Sequence, residues 1–504
     1  MEVVASLDQG TTSTRCIIYA ASTLKPVAFH QLEHAQMHPR PGWAEHDPKE
    51  ILRNAELCLA GALAKAGGAD AVCVKALGIT NQRETTVAWD KLTGEPLMNA
   101  IVWLDTRTTG VCKQVEAENG GKDAFRSVCG LPVSTYFSAM KMRWALENVD
   151  AVKQAAASGT LLFGTIDTWL IYCLTGGVNG GAFVTDVTNA SRTMLMDLGT
   201  LQWHEPTAAA LKIPLASLAA IKSNAEVYSH VAAGLPMAGT PISGSVGDQQ
   251  AATLGQRCNV GEAKSTFGTG CFLLLNTGDT AVPSTHGLLS TTAFQLGPGE
   301  RMQYALEGSV AIAGAGVAFL RDNLGIIEKA SDVEELAGRV SDTGGVYFVP
   351  AFGGLLAPHW RDDARGLVVG LTQYSKKEHI ARAMLEAICF QSVDVIKAMR
   401  QDANGLKLEA LRVDGGASAN NLLMQIQADL LGVPVLRPDD VETTALGAVL
   451  AAGVGAGLWS AASIFSNRSA QTQRFDPSTS DEDRARRQER WAAAIERSIG
   501  WEQS

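Results

Sequence analysis

Apolar and polar positions along this chain fall into short blocks. The first is "VVASLDQGTTSTRCIIYA" (3–20), where an apolar run meets a polar, Gly-containing turn and a second apolar run follows. That order predicts strand, turn, strand. The pattern returns far downstream in "EAKSTFGTGCFLLLN" (262–276), again two apolar runs about a Gly/Thr turn. Between and after these blocks, short apolar runs alternate with amphipathic stretches, which is α/β behaviour. "MLEAICFQSVDVIKAMR" (384–400) places apolar residues on one helical face. "ALRVDGGASANN" (410–421) reads as a strand ending at a Gly pair, with a helix over "LLMQIQADLLG" (422–432). "ALGAVLAAGVGAGLW" (445–459) is small and apolar throughout, so it predicts a buried helix. It is too short and too Gly-rich for a membrane span of about 20 residues.

Length changes the picture first. A chain of 504 residues exceeds what one core holds, so at least two domains are expected. The two turn-bearing blocks suggest related halves, 1–254 and 255–504, with the seam just after Asp248. No Ser/Pro-rich linker separates them, so they are expected to pack closely about a cleft that can close by hinge motion. Charge then excludes partners. The net charge is −10, and the densest basic patch, "DRARRQERW" (483–491), also carries acids. It reads as the solvated face of a terminal helix, not a nucleic-acid site. Nine Cys at irregular spacing, without a C-x-x-C pair, read as reduced thiols in a cytoplasmic compartment, and structural zinc is not expected. No signal peptide is read at the N-terminus.

The turns carry candidate chemistry. "DQGTTS" (8–13) packs one acid, one Gly and three hydroxyls into six residues. Such a turn can cradle phosphate with successive N–H groups and hydroxyls, or it can be an ordinary polar hairpin. The acid, Asp8, could hold Mg2+ through water. The stretch "SVGDQQAATLG" (245–255) raises a sharper question. From Val227 to Gln256 the only formal charge, His230 counted neutral, is Asp248. A lone carboxylate in such company either caps a helix or does chemistry.

Taken together, these blocks resemble the FGGY carbohydrate kinases of the actin/Hsp70-like ATPase superfamily, with ribonuclease H-like domains. The resemblance runs in order through "SLDQGTTSTR", "HPRPGWAEHDP" (38–48), "GITNQRETTVAWD" (78–90), "IVWLDTRT" (101–108), "STYFSAMKMRW" (134–144), "SVGDQQAA" (245–252), "STFGTGCF" (265–272), "LEGSVAIAGA" (306–315), "VPAFGGLLAPHWRDDARG" (349–366), "RVDGGASANN" and "TALGA" (444–448). It implies two ribonuclease H-like α/β domains flanking an active-site cleft, the first binding a polyol and the second a nucleotide. In that family Arg83, Glu84, Tyr136, Asp248 and Gln249 correspond to the polyol-binding groups, and Trp103 and Phe272 to aromatics flanking the carbon chain. Thr11, Thr12, Ser13 and Arg15 fall on the phosphates, Thr269 faces them from the second half, and Gly314, Gly416 and Asn420 line the purine and ribose pocket. Asp8 is the implied Mg2+ partner.

The implied reaction is ATP-dependent phosphorylation of glycerol to sn-glycerol 3-phosphate, with Asp248 as general base. Sugar-phosphorylating relatives tend to carry a "GQMHG"-like segment where this chain has "TNQRET", which favours glycerol over a ketose. The chemistry agrees. A triol offers a row of hydroxyls and a CH face, which suits Arg, Glu, Tyr and Asp beside an aromatic wall. A homodimer or homotetramer is implied, as in relatives.

Departures limit the match. Ala318 stands where relatives often carry Gln, so one nucleotide contact is in question. The loop "AAGLPMAGTPISG" (232–244) has no basic residue to hold a sugar bisphosphate effector. His359 replaces a commoner Tyr and reads as a packing change. Three rivals remain. Another FGGY substrate (a pentose, tetritol or hexonate) would keep the fold. An assembly or chaperone ATPase would share the turns but not need Arg83, Glu84, Tyr136 and Asp248 together. A catalytically dead scaffold would not need to keep Asp8, Thr11, Thr269 and Asp248.

Overall fold

The computed structural model describes residues 1–466 and 472–502. Its first sheet has six strands, in the order Ser229–His230, Pro241–Gly247, Cys73–Asn81, Glu2–Gln9, Ser13–Ala20 and Pro26–Glu33. The last three form an antiparallel meander, while Cys73–Asn81 runs parallel to Glu2–Gln9 and Pro241–Gly247 parallel to Cys73–Asn81. Central strands are apolar almost without interruption because both faces are covered. One face takes the helix Pro48–Lys65 and part of Ile166–Leu174. The first of these starts where Asp47 accepts from the Lys49 N–H and proline occupies the first turn. The other face takes a helix from the far half of the chain, Thr443–Gly455.

The second sheet has seven strands: Leu289–Phe294, Gln303–Val310, Cys271–Gly278, Ala263–Phe267, Leu411–Asp414, Val435–Pro438 and Thr472–Phe475. Its first four are antiparallel, and Leu411–Asp414 then joins Ala263–Phe267 in parallel. The 26-residue helix Lys377–Asp402 and the helix Asn421–Leu431 bury one face of this sheet in a single apolar core. Both expected strand–turn–strand blocks are therefore present, as are the helices expected at 384–400 and 422–432.

The stretch 445–459 is a buried helix over most of its length, and its glycines show why. The helices Asp248–Gly255 and Thr443–Gly455 cross with their backbones nearly touching. A Cβ on Gly255 would lie 1.9 Å from the Thr443 carbonyl oxygen, and one on Gly447 would lie 1.9 Å from that of Ala251. Only glycine permits this approach. On its other side the same helix meets Gly78 and Gly244 of the first sheet, where a Cβ would lie 2.2 Å from the Ala448 oxygen and 2.5 Å from the Ala452 nitrogen.

Among the described residues no helix is long and apolar enough to cross a membrane. All nine cysteines are unpaired. The terminal helix Asp481–Ser498 is charged outward as expected, but it also buries Trp491 in a stack on Phe390, and Arg487 reaches Glu386 at 2.9 Å. His359 does more than pack: its Nε2 lies 3.2 Å from Asp394 Oδ2, the oxygen that accepts from Trp491 Nε1 at 2.7 Å.

Candidate active site

The first turn is held by the backbone register. Asp8 and Arg15 sit directly opposite one another on the paired strands, so their side chains meet on one face. Arg15 Nε donates to Asp8 Oδ2 at 2.8 Å, and Arg15 Nη1 reaches Glu442 Oε2, from the second lobe, at 2.5 Å. The two acids, Asp8 foremost, raise the Arg15 pKa further. Gln36 Nε2 donates to the Thr11 carbonyl, the His34 N–H to that of Thr12, and Gln82 Nε2 to that of Gly10. The turn's carbonyls are thus tied back, while Thr12 is exposed and Thr11 and Ser13 half-buried.

The second turn has no charged member. The N–H of Gly268 donates to Gly270, and the N–H groups of Ala313 and Gly314 return to Thr269 and Gly268 at 2.9 Å each. A Cβ on Gly314 would lie 2.7 Å from the Gly268 oxygen, so that glycine lets a helix start pack against the turn. Gly268 and Thr269 are exposed. Gly416 is exposed after the Gly415 bend, and Asn420 caps the helix Asn421–Leu431 by accepting from the Leu423 N–H at 2.8 Å. Ala318 lies half-buried on the helix Gly314–Asp322.

Between the turns lies a cluster of ionised side chains. Strand Cys73–Asn81 ends at Asn81, which exchanges two 3.0 Å hydrogen bonds with Asn189, and the chain then places Arg83 and Glu84 on the interlobe seam. Arg83 donates two bonds to Glu307, at 2.6 and 2.8 Å, and lies 3.2 Å from Asp248 and 3.3 Å from the Tyr136 hydroxyl. Arg192 bonds Glu84 at 2.7 Å and Glu307 at 3.2 Å. Burial disfavours the Glu307 anion, but Arg192 and Arg83 outweigh it and draw its pKa down to about 2. Lys141 holds the Tyr136 segment by donating to the Thr135 and Tyr136 carbonyls. Trp103 packs edge-on to both Tyr136 and Phe272, and its Nε1 donates to Thr11 Oγ1 at 2.9 Å, which joins the aromatic wall to the first turn.

Asp248 is the first residue of its helix. Gly247 is the cap residue, so of the two alternatives the cap gives way, and Asp248 is an N-terminal carboxylate that accepts from the Gln249 N–H at 2.7 Å. Its side chain remains 30% exposed, the most open of the ionised cluster it shares with Arg83, Glu84, Arg192 and Glu307. Burial raises its pKa to about 6, against the pull of Arg83. Gln249 is buried, with Oε1 accepting from Lys264 Nζ at 2.5 Å.

The structure thus gathers Arg83, Glu84, Tyr136, Asp248, Gln249, Trp103 and Phe272 in one place, and groups Asp8, Thr11, Thr12, Ser13 and Arg15 at the first turn. Thr269 and Gly314 meet at the second. Sequence reasoning missed Arg192, Glu307 and Lys264. A signal existed for two of them. Glu307 is the only charge from Met302 to Leu320, and Lys264 the only one from Ala263 to Gly278.

Two lobes built on related strand–turn–strand plans, with ionised side chains on their seam, define an α/β protein of the actin-like ATPase fold. Comparison with known proteins agrees. The model of the N-terminal domain of the FGGY family of carbohydrate kinases matches residues 3–255, and that of the C-terminal domain matches 263–456. The chain belongs to this family. It is 55% identical to a glycerol kinase of Arabidopsis thaliana, over 98% of this chain and 97% of that protein. It is 52% identical to a glycerol kinase of Saccharopolyspora erythraea, over 99% of each. Among solved structures it resembles Plasmodium falciparum glycerol kinase with ADP, with a TM-score of 0.93 and 39% identity over 99% of this chain and 98% of that one. A xylulose kinase of Lactobacillus acidophilus, 23% identical with a TM-score of 0.86 over 98% and 97% of the two chains, shares the fold.

Proposed function

We propose that this chain transfers the γ-phosphoryl group of ATP to a terminal hydroxyl of glycerol, giving sn-glycerol 3-phosphate and ADP. The observation that carries the reading is the convergence of Arg83, Glu84, Tyr136, Asp248 and Gln249 against Trp103 and Phe272. Arg83 and Glu84 supply a donor and an acceptor for adjacent hydroxyls, and Tyr136 and Gln249 add to the row. Trp103 and Phe272 cover the CH face. A smaller or differently hydroxylated acceptor would leave part of the remaining hydrogen-bonding capacity of this row unused, which is a basis of discrimination. The glycerol kinases that resemble the chain over nearly its whole length support the same substrate.

Asp248 takes the proton from the terminal hydroxyl as its oxygen attacks the γ-phosphorus in line, and the β–γ bridging oxygen leaves with ADP. Its pKa near 6 keeps it mostly ionised at neutral pH yet basic enough to accept a proton. Thr11, Thr12 and Ser13 bind phosphate from one lobe and Thr269 from the other, while Gly314, Gly416 and Asn420 border the base and ribose. Arg15, now paired with Asp8 and Glu442, can turn toward phosphate. The division at 254/255 into polyol-binding and nucleotide-binding halves belongs to this reading.

A Mg2+ ion fits the donor set at Asp8. Arg15 engages Oδ2 alone, leaving Oδ1 for a water of the ion, and no cage of three or more acidic, His or Cys groups surrounds it among the described residues. Such an ion, held by one carboxylate and the nucleotide, would neutralise phosphate charge.

The test is ADP release by the purified protein with MgATP and glycerol, dihydroxyacetone, erythritol, xylulose, ribulose, gluconate or no acceptor. Activity with glycerol and dihydroxyacetone is expected, with little on the sugars. Activity confined to a sugar would overturn the roles given to Arg83, Glu84 and Tyr136. Turnover indifferent to every acceptor would overturn the kinase reading.

A further inference from the structure

Lys264 has no role in the reaction as derived so far. It lies on the strand Ala263–Phe267, just before the second phosphate turn, and is fully buried. Burial draws the Lys264 pKa down, with Asp414 and Asp248 opposing that pull, so the ammonium is costly unless its protons are used. Two are: Nζ donates to Gln249 Oε1 at 2.5 Å, across the seam, and to Thr266 Oγ1 at 2.9 Å. An ammonium has donors only, so the Gln249 atom facing it must be the carbonyl oxygen. The other end of the carboxamide is then the NH2, and Gln249 Nε2 has no hydrogen bond among the described residues. A carboxamide has nearly the same shape either way round. Lys264 removes that ambiguity.

We propose that Lys264 is a positioning residue for phosphoryl transfer: from the second lobe it fixes Gln249 with its NH2 toward the polyol, and it keeps a positive charge near Asp248. This rests on the roles proposed above for Gln249 and Asp248. The charged groups facing Asp248 are few. Arg83 and Glu84 approach from the segment after the strand Cys73–Asn81, with Glu307 bound behind Arg83, and Lys264 approaches from the second sheet with Asp414 beyond it. The helix packed on the other side, Thr443–Gly455, contains no ionisable side chain. Arg83 and Lys264 are therefore the cations that oppose burial and Glu84 in setting the proton affinity of Asp248.

The experiment compares Lys264→Met, Lys264→Arg, Gln249→Met and the Lys264→Met/Gln249→Met pair in the full-length chain. It reads kcat, KM for glycerol and for ATP, the pH dependence of kcat/KM, and thermal melting. Lys264→Met is expected to raise the glycerol KM about tenfold, the size of one charge-assisted hydrogen bond, with the ATP KM within about twofold. It is also expected to move the acid limb up by about one pH unit, because a cation that favours the Asp248 anion is gone. Gln249→Met should reproduce the KM change without the limb shift, and the double variant should match Lys264→Met in KM. Lys264→Arg should restore the limb.

An unchanged glycerol KM and limb in Lys264→Met overturns the proposal, as do fully additive KM effects in the pair. If Lys264→Met does not fold, an unchanged glycerol KM in Gln249→Met overturns it instead. A wild-type enzyme indifferent to glycerol overturns the functional reading itself, and this inference with it.

Discussion

The two strand–turn–strand turns have related outlines and different contents. The first is bounded by charge: Asp8 and Arg15 face each other across the hairpin, and Glu442 joins from the other lobe. The second is built of glycine and backbone, and the one charged residue of its strands, Lys264, is turned away into the interior. A turn made by side chains can rearrange, since Arg15 divides its guanidinium between Asp8 and Glu442. A turn made by close backbone packing cannot re-form in steps, and Gly314 pressed on Gly268 fixes it. The first turn is therefore the adjustable one, held by side chains, and the second is held by its backbone.

The ionised cluster crosses this division, and Asp248 offers its largest test. Asp248→Asn should lower kcat by about a thousandfold with glycerol binding retained, measured by steady-state kinetics and calorimetry. Loss of binding instead would make the residue an anchor and not a base. Glu307→Gln should come next. It leaves Arg83 and Arg192 without their shared anion, so glycerol kcat/KM should fall about a hundredfold and the melting temperature should drop, in line with about 3–5 kcal/mol for a broken buried pair. An unchanged melting temperature would mean that the lobes are not tied there.

The pH profile gives a smaller effect. The Asp248 carboxyl is raised to about 6 from an ordinary 3.8, so it holds its proton below that point and cannot accept another. kcat/KM should fall about tenfold per unit below pH 6. A profile flat to pH 5 would remove Asp248 as the titrating base. Gly447→Ala puts a methyl where the Ala251 oxygen lies, so calorimetric unfolding should show a loss of about 1–3 kcal/mol. The smallest effect is expected at the adjustable turn. Arg15 and Glu442 are 25% and 39% exposed, so Glu442→Gln should change stability by less than about 1 kcal/mol while altering the ATP KM measurably.

Much of this was legible in the sequence where neighbours along the chain act together. The hairpin turns, the Arg83–Glu84 segment and the Gly-rich helix announce themselves through local composition. Glu307, Arg192 and Lys264 did not, because their partners lie 224, 108 and 15 residues away along the chain and, for Glu307 and Lys264, on the opposite side of the seam. An isolated charge in an apolar strand marks such a residue, but says nothing of what it meets. Of the two alternatives for Asp248, the cap is not the one the structure takes: the preceding glycine holds the cap position, which leaves the carboxylate open to the seam. His359 looked like a packing change because Asp394 and Trp491 come from helices far ahead in the chain.

The crossed helices have a consequence for any attempt to take the molecule apart. The helix Thr443–Gly455 belongs to the second half yet covers the sheet of the first, and Asp248–Gly255 packs on strands of the second sheet. A chain cut between residues 255 and 263 would yield two fragments that each expose an apolar surface shaped for the other. Such fragments should be insoluble alone and recover together, which makes the molecule a ready substrate for split-protein complementation.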